Sequence, residues 1–222
     1  TRLPENTYRE LQLLARQYYQ MTSLLIKAKV DFNALCDQVL PGMQELMSDH
    51  AGRHKLSDFV LRYHHTTHIL EMGETRFRKD YCKWAEKKGY RNRERMAALI
   101  FATAQNGIPV LPDAPSTQIV ITEAIRVLHT VEASRDAILT QMQALAKTLL
   151  EYSLVREMPC IGDTLAPRLI AEIGDVRRFH SKRALIAYAG IDAPPYQSGK
   201  FCANNRHISK RGNRYLRKTG YE

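Results

Sequence analysis

The sequence predicts a mainly α-helical protein that ends in a small, irregular C-terminal module. Two long series of apolar residues recur at alternating spacings of three and four, the pattern of helices that pack along a seam. Composition then changes near Met158, because six of the 11 glycines lie in the last third of the chain. Glycine at that density indicates loops and tight turns rather than a helical bundle.

The first apolar series predicts a long helix over residues 1–42. It consists of Leu11, Leu14, Tyr18, Met21, Leu25, Ala28, Phe32, Leu35 and Val39. A second series predicts another long helix over residues 116–157, with Arg135 at one seam position and Ser116 as the candidate cap at its start. It consists of Ile121, Ala124, Leu128, Val131, Ile138, Met142, Leu145, Leu149 and Tyr152. The two helices are expected to form a coiled-coil hairpin or to pair with another protomer.

The residues between these helices, 43–115, are predicted to form an inserted helical subdomain. Its predicted helices are Lys55 to Tyr63, Glu74 to Lys88 and Arg93 to Gln105. Arg91, Arg93 and Arg95 beside Tyr90 fit either a nucleic-acid contact or a solvated helix start. No known motif matches this subdomain.

The charge balance indicates a polyanionic partner. The chain carries 33 Lys and Arg against 23 Asp and Glu, a formal net charge of +10. Each phosphate that a cation neutralises releases condensed counterions, so nucleic acid is the first expected partner. No apolar run approaches a membrane span and no secretory signal opens the chain. We therefore expect a cytoplasmic protein with no membrane partner.

No metal site is expected. The four cysteines lie too far apart in sequence to form half of a zinc site, and we expect them as reduced thiols: Cys36, Cys82, Cys160 and Cys202. His64 and His68 would share a helix face at a zinc-binding spacing, but no third ligand accompanies them. Glu132, Asp136 and Glu151 are expected at solvent-facing helix positions rather than as paired catalytic carboxylates.

The C-terminal module, residues 158–222, opens with a sequence that resembles a helix-hairpin-helix. A tight turn containing Cys160 and Gly162 precedes Thr164 and an apolar helix, whose amides would face a phosphate. Gly162 and Thr164 are the candidate phosphate contacts. The usual first glycine of such a turn is Cys160 here, and a plain corner between two helices fits the same residues.

The next segment carries a short helix and then a single-sign basic stretch. Ser181 is predicted to cap the helix and Gly190 to end it. Between Asp192 and Glu222 there is no acidic residue. A stretch of cations interleaved with aromatic residues favours a nucleic-acid surface over a solvated tail. The candidate contacts are Lys200, Arg206, Lys210, Arg211, Asn213, Arg214 and Arg217.

Ser198 is the candidate nucleophile. It stands between Gln197 and Gly199, after two prolines, in a segment compatible with a short β-hairpin around Tyr196 to His207. By pattern alone, a serine in such a turn is most often a turn residue.

An ordered set of motifs resembles the C-terminal domain of the "one-ten" family of insertion-sequence transposases. The motifs are Pro-Cys-Ile-Gly, Ala-Glu-Ile-Gly-Asp with Arg-Phe, Ala-Tyr-Ala-Gly, Gln-Ser-Gly-Lys, and Ile208-Ser209-Lys210-Arg211-Gly212-Asn213 with Leu216-Arg217. They extend from Met158 to Glu222, and the two long helices are similar to that family's connecting coiled coil. The resemblance identifies residues 158–222 as a C-terminal transposase domain.

The resemblance implies an RNA-guided DNA recombinase in which Ser198 attacks a DNA phosphate and forms a covalent phosphoserine link. Lys200, Arg206 and Arg211 would offset the developing phosphate charge, and His207 is a weak candidate for the proton acceptor. The family's N-terminal RuvC-like domain, with four metal-binding acids, would precede residue 1. We therefore expect a fragment that is inactive alone and holds no cofactor, with Mg²⁺ bound in the full-length protein.

The partners that the resemblance implies are DNA, a guide (bridge) RNA and further copies of the chain in a homo-oligomer. A second hypothesis is a non-catalytic coiled-coil module that binds nucleic acid without chemistry at Ser198. The two differ in one respect, since a nucleophile is required for covalent linkage while leaving DNA affinity nearly intact.

Overall fold

The structure, a computed structural model, is mainly α-helical, as the sequence predicts. It describes residues 3–48, 54–91, 93–193, 197–198, 201–202 and 207–221. The helices in these residues are α1 Leu3–Val39, α2 Met43–Leu46, α3 Lys55–Tyr63, α4 Thr66–Glu71, α5 Glu74–Lys87, α6 Arg93–Asn106, α7 Pro115–Ala146, α8 Glu151–Arg156, α9 Leu165–Ile173, α10 Lys182–Ala189 and α11 Arg214–Thr219. A 3-10 turn occupies Val176–Arg178, and two short strands are β1 Gln197–Ser198 and β2 Phe201–Cys202.

The chain divides into two compact units. Unit 1 comprises Thr1–Thr22 and Ala133–Glu222, and unit 2 comprises Ser23–Glu132. The boundaries fall inside α1 and α7, so each unit contains one stretch of each long helix. Coiled-coil geometry and the division at residues 42, 115 and 157 stay predictions.

Unit 2 is built around an aromatic cluster on α3 and α5. The rings of Phe59, Tyr63, Tyr81 and Trp84 approach one another with centroid distances of 4.8 to 6.3 Å. Phe59 and Phe77 are fully buried. Edge-to-face pairs of this kind contribute about 0.5–1.5 kcal/mol beyond the area they bury. The stretches of α1 and α7 in this unit add Leu25, Phe32, Ile121, Ile125 and Leu128 to the same core.

The predicted helices of the inserted subdomain are confirmed to within one residue as α3, α5 and α6. The expected shared helix face of His64 and His68 is wrong. His64 ends α3 with a positive φ of 48°, and His68 lies in α4, a separate helix that His65 caps by accepting the N–H of Thr67 at 3.2 Å. The break after α3 therefore places the two histidines on different helical segments, although their ring centroids lie 6.3 Å apart.

The second long helix differs from its predicted bounds. It begins at Pro115, a favoured first helical residue, so Ser116 lies inside the helix and does not cap it. It ends at Ala146, because Thr148 and Leu149 donate their amides three residues back and the Thr148 hydroxyl also bonds to the carbonyl of Leu145, at 2.7 Å. Such tight bonds close the last turn, and α8 continues separately.

Glu132 is buried rather than solvent-facing. Its exposed fraction is 8%, and its Oε2 lies 3.7 Å from Nδ1 of His54 in unit 2. Asp136 is exposed as predicted and pairs with Arg135. Glu151 belongs to α8, not to the second long helix. Apolar periodicity could not reveal the burial of Glu132, because a buried acid depends on a partner distant in sequence.

Unit 1 has its own apolar cluster, which anchors α9. The buried members are Tyr8, Leu11 and Ala15 of α1, Met142 and Ala146 of α7, and Ile170 and Ala171 of α9. The helix that follows the predicted hairpin turn is therefore fixed against both long helices of this unit.

Tyr8 links α1 to α8, and its bond predicts a pH dependence of stability. Its hydroxyl donates to Oε1 of Glu151 at 2.5 Å, and burial together with this bond raises the pKa of Tyr8 to about 12. Because the folded-state pKa exceeds the ordinary value of 10.0, the stabilisation is complete below that pH and is lost as pH rises through about 12. We expect Tyr8→Phe to flatten the alkaline fall in urea midpoint.

The matched control is Tyr221→Phe, which alters a ring that is 93% exposed. This variant should follow the parent protein across the alkaline range. Equal alkaline slopes for Tyr8→Phe and the parent protein would contradict the assignment to Tyr8.

Candidate nucleic-acid interface

The segment before Ser198 is a short capped helix. Ser181 Oγ accepts the N–H of Ala184 at 3.2 Å, and Gly190 ends α10 with a left-handed φ of 69°. Both features were predicted, and both are confirmed. They follow from local sequence, since a serine satisfies the free amides of a first turn and glycine adopts positive φ without strain.

The segment after Ser198 folds back along the end of α10. The N–H of Ser209 donates to the carbonyl of Asp192 at 2.7 Å, and the N–H of Lys210 donates to that of Gly190 at 3.0 Å. The Ser209 hydroxyl also donates to Oδ1 of Asp192 at 2.5 Å. The two ends of the segment that carries Ser198 are therefore joined to each other.

Gly212 permits this close approach. A Cβ at this position would lie 2.2 Å from the carbonyl oxygen of Tyr188 and 2.5 Å from the nitrogen of Gly190. Those distances exclude any side chain without movement of the backbone. The glycine in the motif Lys-Arg-Gly-Asn is thus required by packing between two main-chain segments.

Asn213 starts α11 and ties it to the rest of unit 1. Its Oδ1 accepts the N–H groups of Tyr215 at 2.9 Å and Leu216 at 3.2 Å, which is the role of a helix N-cap. Its Nδ2 donates to Oε2 of Glu172 at 2.7 Å and to the hydroxyl of Tyr188 at 3.2 Å. The structure gives Asn213 these contacts, and its contact with nucleic acid stays a prediction.

Glu172 is a buried carboxylate where α1, α9 and α11 meet. It is 2% exposed and accepts from Arg16 Nε at 3.2 Å, from Arg16 Nη2 at 3.3 Å and from Gln12 Nε2 at 3.3 Å, besides Asn213. A buried charge is tolerated when its oxygens are paired in this way. The role of Glu172 was not apparent from the sequence pattern. The available signal was an acid in an otherwise apolar stretch of α9.

Cations and tyrosines alternate beside this carboxylate. The guanidinium carbon of Arg16 lies 4.9 Å from the ring centroid of Tyr215, and that of Arg214 lies 4.8 Å from it. Tyr19 packs edge-on to Tyr215 at 5.7 Å, and Nζ of Lys218 lies 3.8 Å from the Tyr19 centroid. Contacts of this kind hold each cation in place for about 0.5–1 kcal/mol at an exposed site. They therefore order a basic surface.

The predicted basic contacts separate into exposed and structural side chains. Lys210, Arg211 and Arg214 are exposed, as a phosphate contact requires. Arg217 is half-buried, and its Nη1 donates to the carbonyl of Ala189 at 3.0 Å at the end of α10. Its contact with nucleic acid stays a prediction, and the structure gives it a helix-capping role.

Arg178 is a further cation on aromatic rings that sequence analysis did not single out. Its guanidinium carbon lies 4.7 Å from the centroid of Phe179 and 4.5 Å from that of Tyr188. The motif Arg-Arg-Phe was visible in the sequence. The partner ring of Tyr188, ten residues away, was not.

The predicted hairpin turn joins α8 to α9. Cys160 adopts a left-handed φ of 67°, the conformation for which the usual motif has glycine. The amides of Leu165 and Ala166 donate to the carbonyl of Gly162 at 3.1 and 3.0 Å, so both are used within the turn. Gly162 is exposed and Thr164 half-buried, and phosphate binding by this turn stays a prediction.

Asp163 gives the turn a negative charge. Its Oδ1 accepts from Arg156 Nε at 2.7 Å and from the hydroxyl of Tyr152 at 3.0 Å, while its side chain remains 61% exposed. The negative charge of Asp163 would repel a phosphate, and the positive charge of Arg156 offsets that repulsion. The exposed cations of residues 210–214 are therefore the more favourable phosphate surface.

Ser198 lies in β1, which pairs antiparallel with β2 so that Ser198 faces Phe201 and Gln197 faces Cys202. For Ser198, the structure describes the backbone and not the side chain. Lys200 and Arg206 lie outside the described residues, and His207 is exposed. The catalytic and binding roles predicted for these residues stay predictions.

Within the described ranges, no group of three or more His, Cys, Asp or Glu is arranged to hold a metal ion. Cys36, Cys82 and Cys160 form no disulfide in the structure, and the side chain of Cys202 lies outside the described residues. No helix in the described part of the chain is long and apolar enough to cross a membrane.

Glu172→Gln should destabilise unit 1 by about 1–3 kcal/mol, because a neutral amide replaces the acceptor of four charged or polar hydrogen bonds. The larger loss typical of a fully buried pair does not apply, since the Arg16 side chain is 43% exposed and can regain water. Urea unfolding measures the effect. The control Glu157→Gln changes an exposed acid and should stay within about 0.5 kcal/mol. Equal effects of the two substitutions would contradict the role of Glu172.

The C-terminal residues of this chain are similar to a known protein family. Residues 152–222 match the sequence model of the family described as "Transposase IS116/IS110/IS902 family". The chain is 23% identical over 184 residues to the "Insertion element IS110 uncharacterized 43.6 kDa protein" of Streptomyces coelicolor, which covers 83% of this chain and 44% of that relative. No solved structure matches. Residues 152–222 of this chain are therefore similar to the transposase domain of the IS116/IS110/IS902 family.

Proposed function

We propose that the chain acts in DNA transposition, with residues 158–222 binding DNA and Ser198 supplying the nucleophile. The observation that carries the proposal is the family match of residues 152–222 to transposases. Two features of the structure support it. The segment carrying Ser198 has its ends joined through Asp192 and Ser209, and the exposed cations Arg211 and Arg214 follow it directly.

The proposed reaction is a transesterification. Ser198 Oγ attacks the phosphorus of a DNA phosphodiester, a new Oγ–P bond forms, and the bond from phosphorus to one deoxyribose oxygen breaks. The serine proton passes to a base, and the released deoxyribose oxygen takes up a proton. The phosphoserine ester keeps the bond energy, so attack by another DNA hydroxyl restores Ser198 and joins the new strands.

Cations are needed because the attacked phosphorus gathers negative charge on its oxygens. Arg211, with Lys200 and Arg206 as predicted from sequence, supplies that charge in the proposal. Lys210 and Arg214 bind flanking phosphates. His207 is exposed and remains a weak candidate for the proton acceptor.

The rest of the proposal concerns the longer protein. The chain spans 44% of the length of the relative it matches. We propose that acids elsewhere in the full-length protein hold Mg²⁺, since the described residues here offer no such group. A guide RNA, a homo-oligomeric assembly and a cytoplasmic location belong to the same proposal.

The alternative is a helical module that binds nucleic acid and performs no chemistry at Ser198. The ordered cation–aromatic surface beside Glu172 favours binding equally under either proposal. The two proposals differ only in whether the Ser198 oxygen forms a covalent bond to a DNA phosphorus.

Ser198→Ala should abolish a denaturant-resistant protein–DNA adduct while leaving DNA affinity unchanged. The measurement uses the full-length protein with Mg²⁺, labelled target DNA and the element's own RNA, resolved on a denaturing gel. Ser153→Ala, which changes an exposed serine of α8, is the matched control and should form the adduct. If the parent protein recombines DNA without forming an adduct, the covalent mechanism is wrong and the binding module is favoured.

Arg211→Gln combined with Arg214→Gln should reduce the slope of log K against log salt for duplex DNA by about 2, since each lost phosphate contact removes about one unit. The control is Arg126→Gln with Arg177→Gln, two exposed arginines that already pair with Glu123 and Asp175. It removes the same formal charge and should leave the slope unchanged. Equal slopes for both double variants would place the DNA surface elsewhere.

A further inference from the structure

Positive charge in unit 2 is concentrated in one place. Residues 74–95 contain nine Lys and Arg against four Asp and Glu, whereas the other residues of the unit contain six against nine. The unit as a whole is close to neutral. The basic excess therefore belongs to α5 and the start of α6.

Helix α5 separates its aromatic and basic residues onto different faces. Phe77, Tyr81 and Ala85 are buried in the core of unit 2. The exposed cations form what we call the α5 stripe: Arg76, Lys79, Lys83 and Lys87. Spacings of three, four and four place these residues on one side of the helix, along about 16 Å of its axis.

The acids of α5 are neutralised by cations outside the stripe. Their pairs are Glu74 with Arg78 at 3.3 Å, Asp80 with Arg62 at 2.7 Å and Glu86 with Arg93 at 2.9 Å. Among the described residues, no carboxylate lies within 4.0 Å of a stripe cation. Asp80 and Glu86 border the stripe, and Glu94 of α6 lines one groove with Lys79 and Lys83. Asp80 and Glu86 are paired with arginines outside the stripe, so the stripe keeps an excess of positive charge over these acids.

The stripe offers charge without a stacking surface. Binding of single strands relies on aromatic rings on which bases stack, and the rings of α5 point into the core. A row of flexible, exposed ammonium and guanidinium groups suits a rigid, regular array of phosphates. The charge complement of such a row is the backbone of a duplex.

We propose that the α5 stripe docks on the phosphate backbone of double-stranded DNA, without reading its sequence. This is a second DNA contact, in unit 2, besides the one proposed for residues 158–222. The choice of DNA as the duplex rests on the proposed function. The contact itself needs no chemistry at Ser198.

The test compares two double variants of the same helix region in a duplex DNA of arbitrary sequence. Arg76→Gln with Lys83→Gln removes two stripe charges. Arg78→Gln with Lys88→Gln removes two charges that already pair, with Glu74 and Asp58. Each pair is introduced into the chain and into the chain carrying Arg211→Gln and Arg214→Gln. Fluorescence anisotropy of the labelled duplex is titrated over a range of KCl, and circular dichroism verifies folding.

We expect the stripe variant to lower the salt slope by about 2 and the paired control to leave it unchanged, in both backgrounds. Equal slopes for the two variants would overturn the stripe. A loss seen with single-stranded DNA but not duplex DNA, or with duplex RNA but not duplex DNA, would overturn the assigned partner. Failure of the Ser198 adduct leaves this result intact, because binding is measured without chemistry.

Discussion

The buried carboxylate of Glu172 is the constraint on which the arrangement of unit 1 depends. Removing a charge from water costs several kcal/mol unless donors surround it. Arg16 and Gln12 on α1 and Asn213 at the start of α11 meet that requirement. Because Asn213 also caps α11 and bonds to Tyr188, satisfying one carboxylate sets the position of α11 relative to α9 and α10.

That position determines which basic residues face solvent. Segment 209–213 must run along the end of α10, and Gly212 allows the two backbones to approach. Arg217 is then drawn to the carbonyl of Ala189, while Arg211 and Arg214 stay exposed. Residues of the same type in one basic run thus have different roles, because backbone carbonyls compete with solvent and phosphate for the same guanidinium donors.

In unit 2, packing of the core determines which cations are exposed. Its core is an aromatic cluster on α3 and α5, and burial of those rings fixes which side of α5 faces out. Each acid of α5 has an arginine partner outside the α5 stripe, so the positive charge of the stripe is not cancelled by an ion pair. In unit 1, Arg16 lies over the ring of Tyr215 and Lys218 lies over the ring of Tyr19. Cation–π contacts therefore order the cations beside Tyr19 and Tyr215, whereas the α5 stripe keeps its charge because neighbouring acids pair with other cations.

The sequence by itself determined the features that local chemistry controls: the helical class, α3, α5 and α6, the Ser181 cap, the end of α10 at Gly190 and the family motifs of residues 158–222. The tertiary structure decided the rest, namely the break between His64 and His68, the burial of Glu132 and the partners of Glu172 and Arg217. The end of α7 at Ala146 is set by hydrogen bonds within its last turn, which the apolar periodicity did not reveal. Periodicity and capping depend on neighbours within a few residues. Burial of a charge depends on partners more than 20 residues away, which no local pattern encodes.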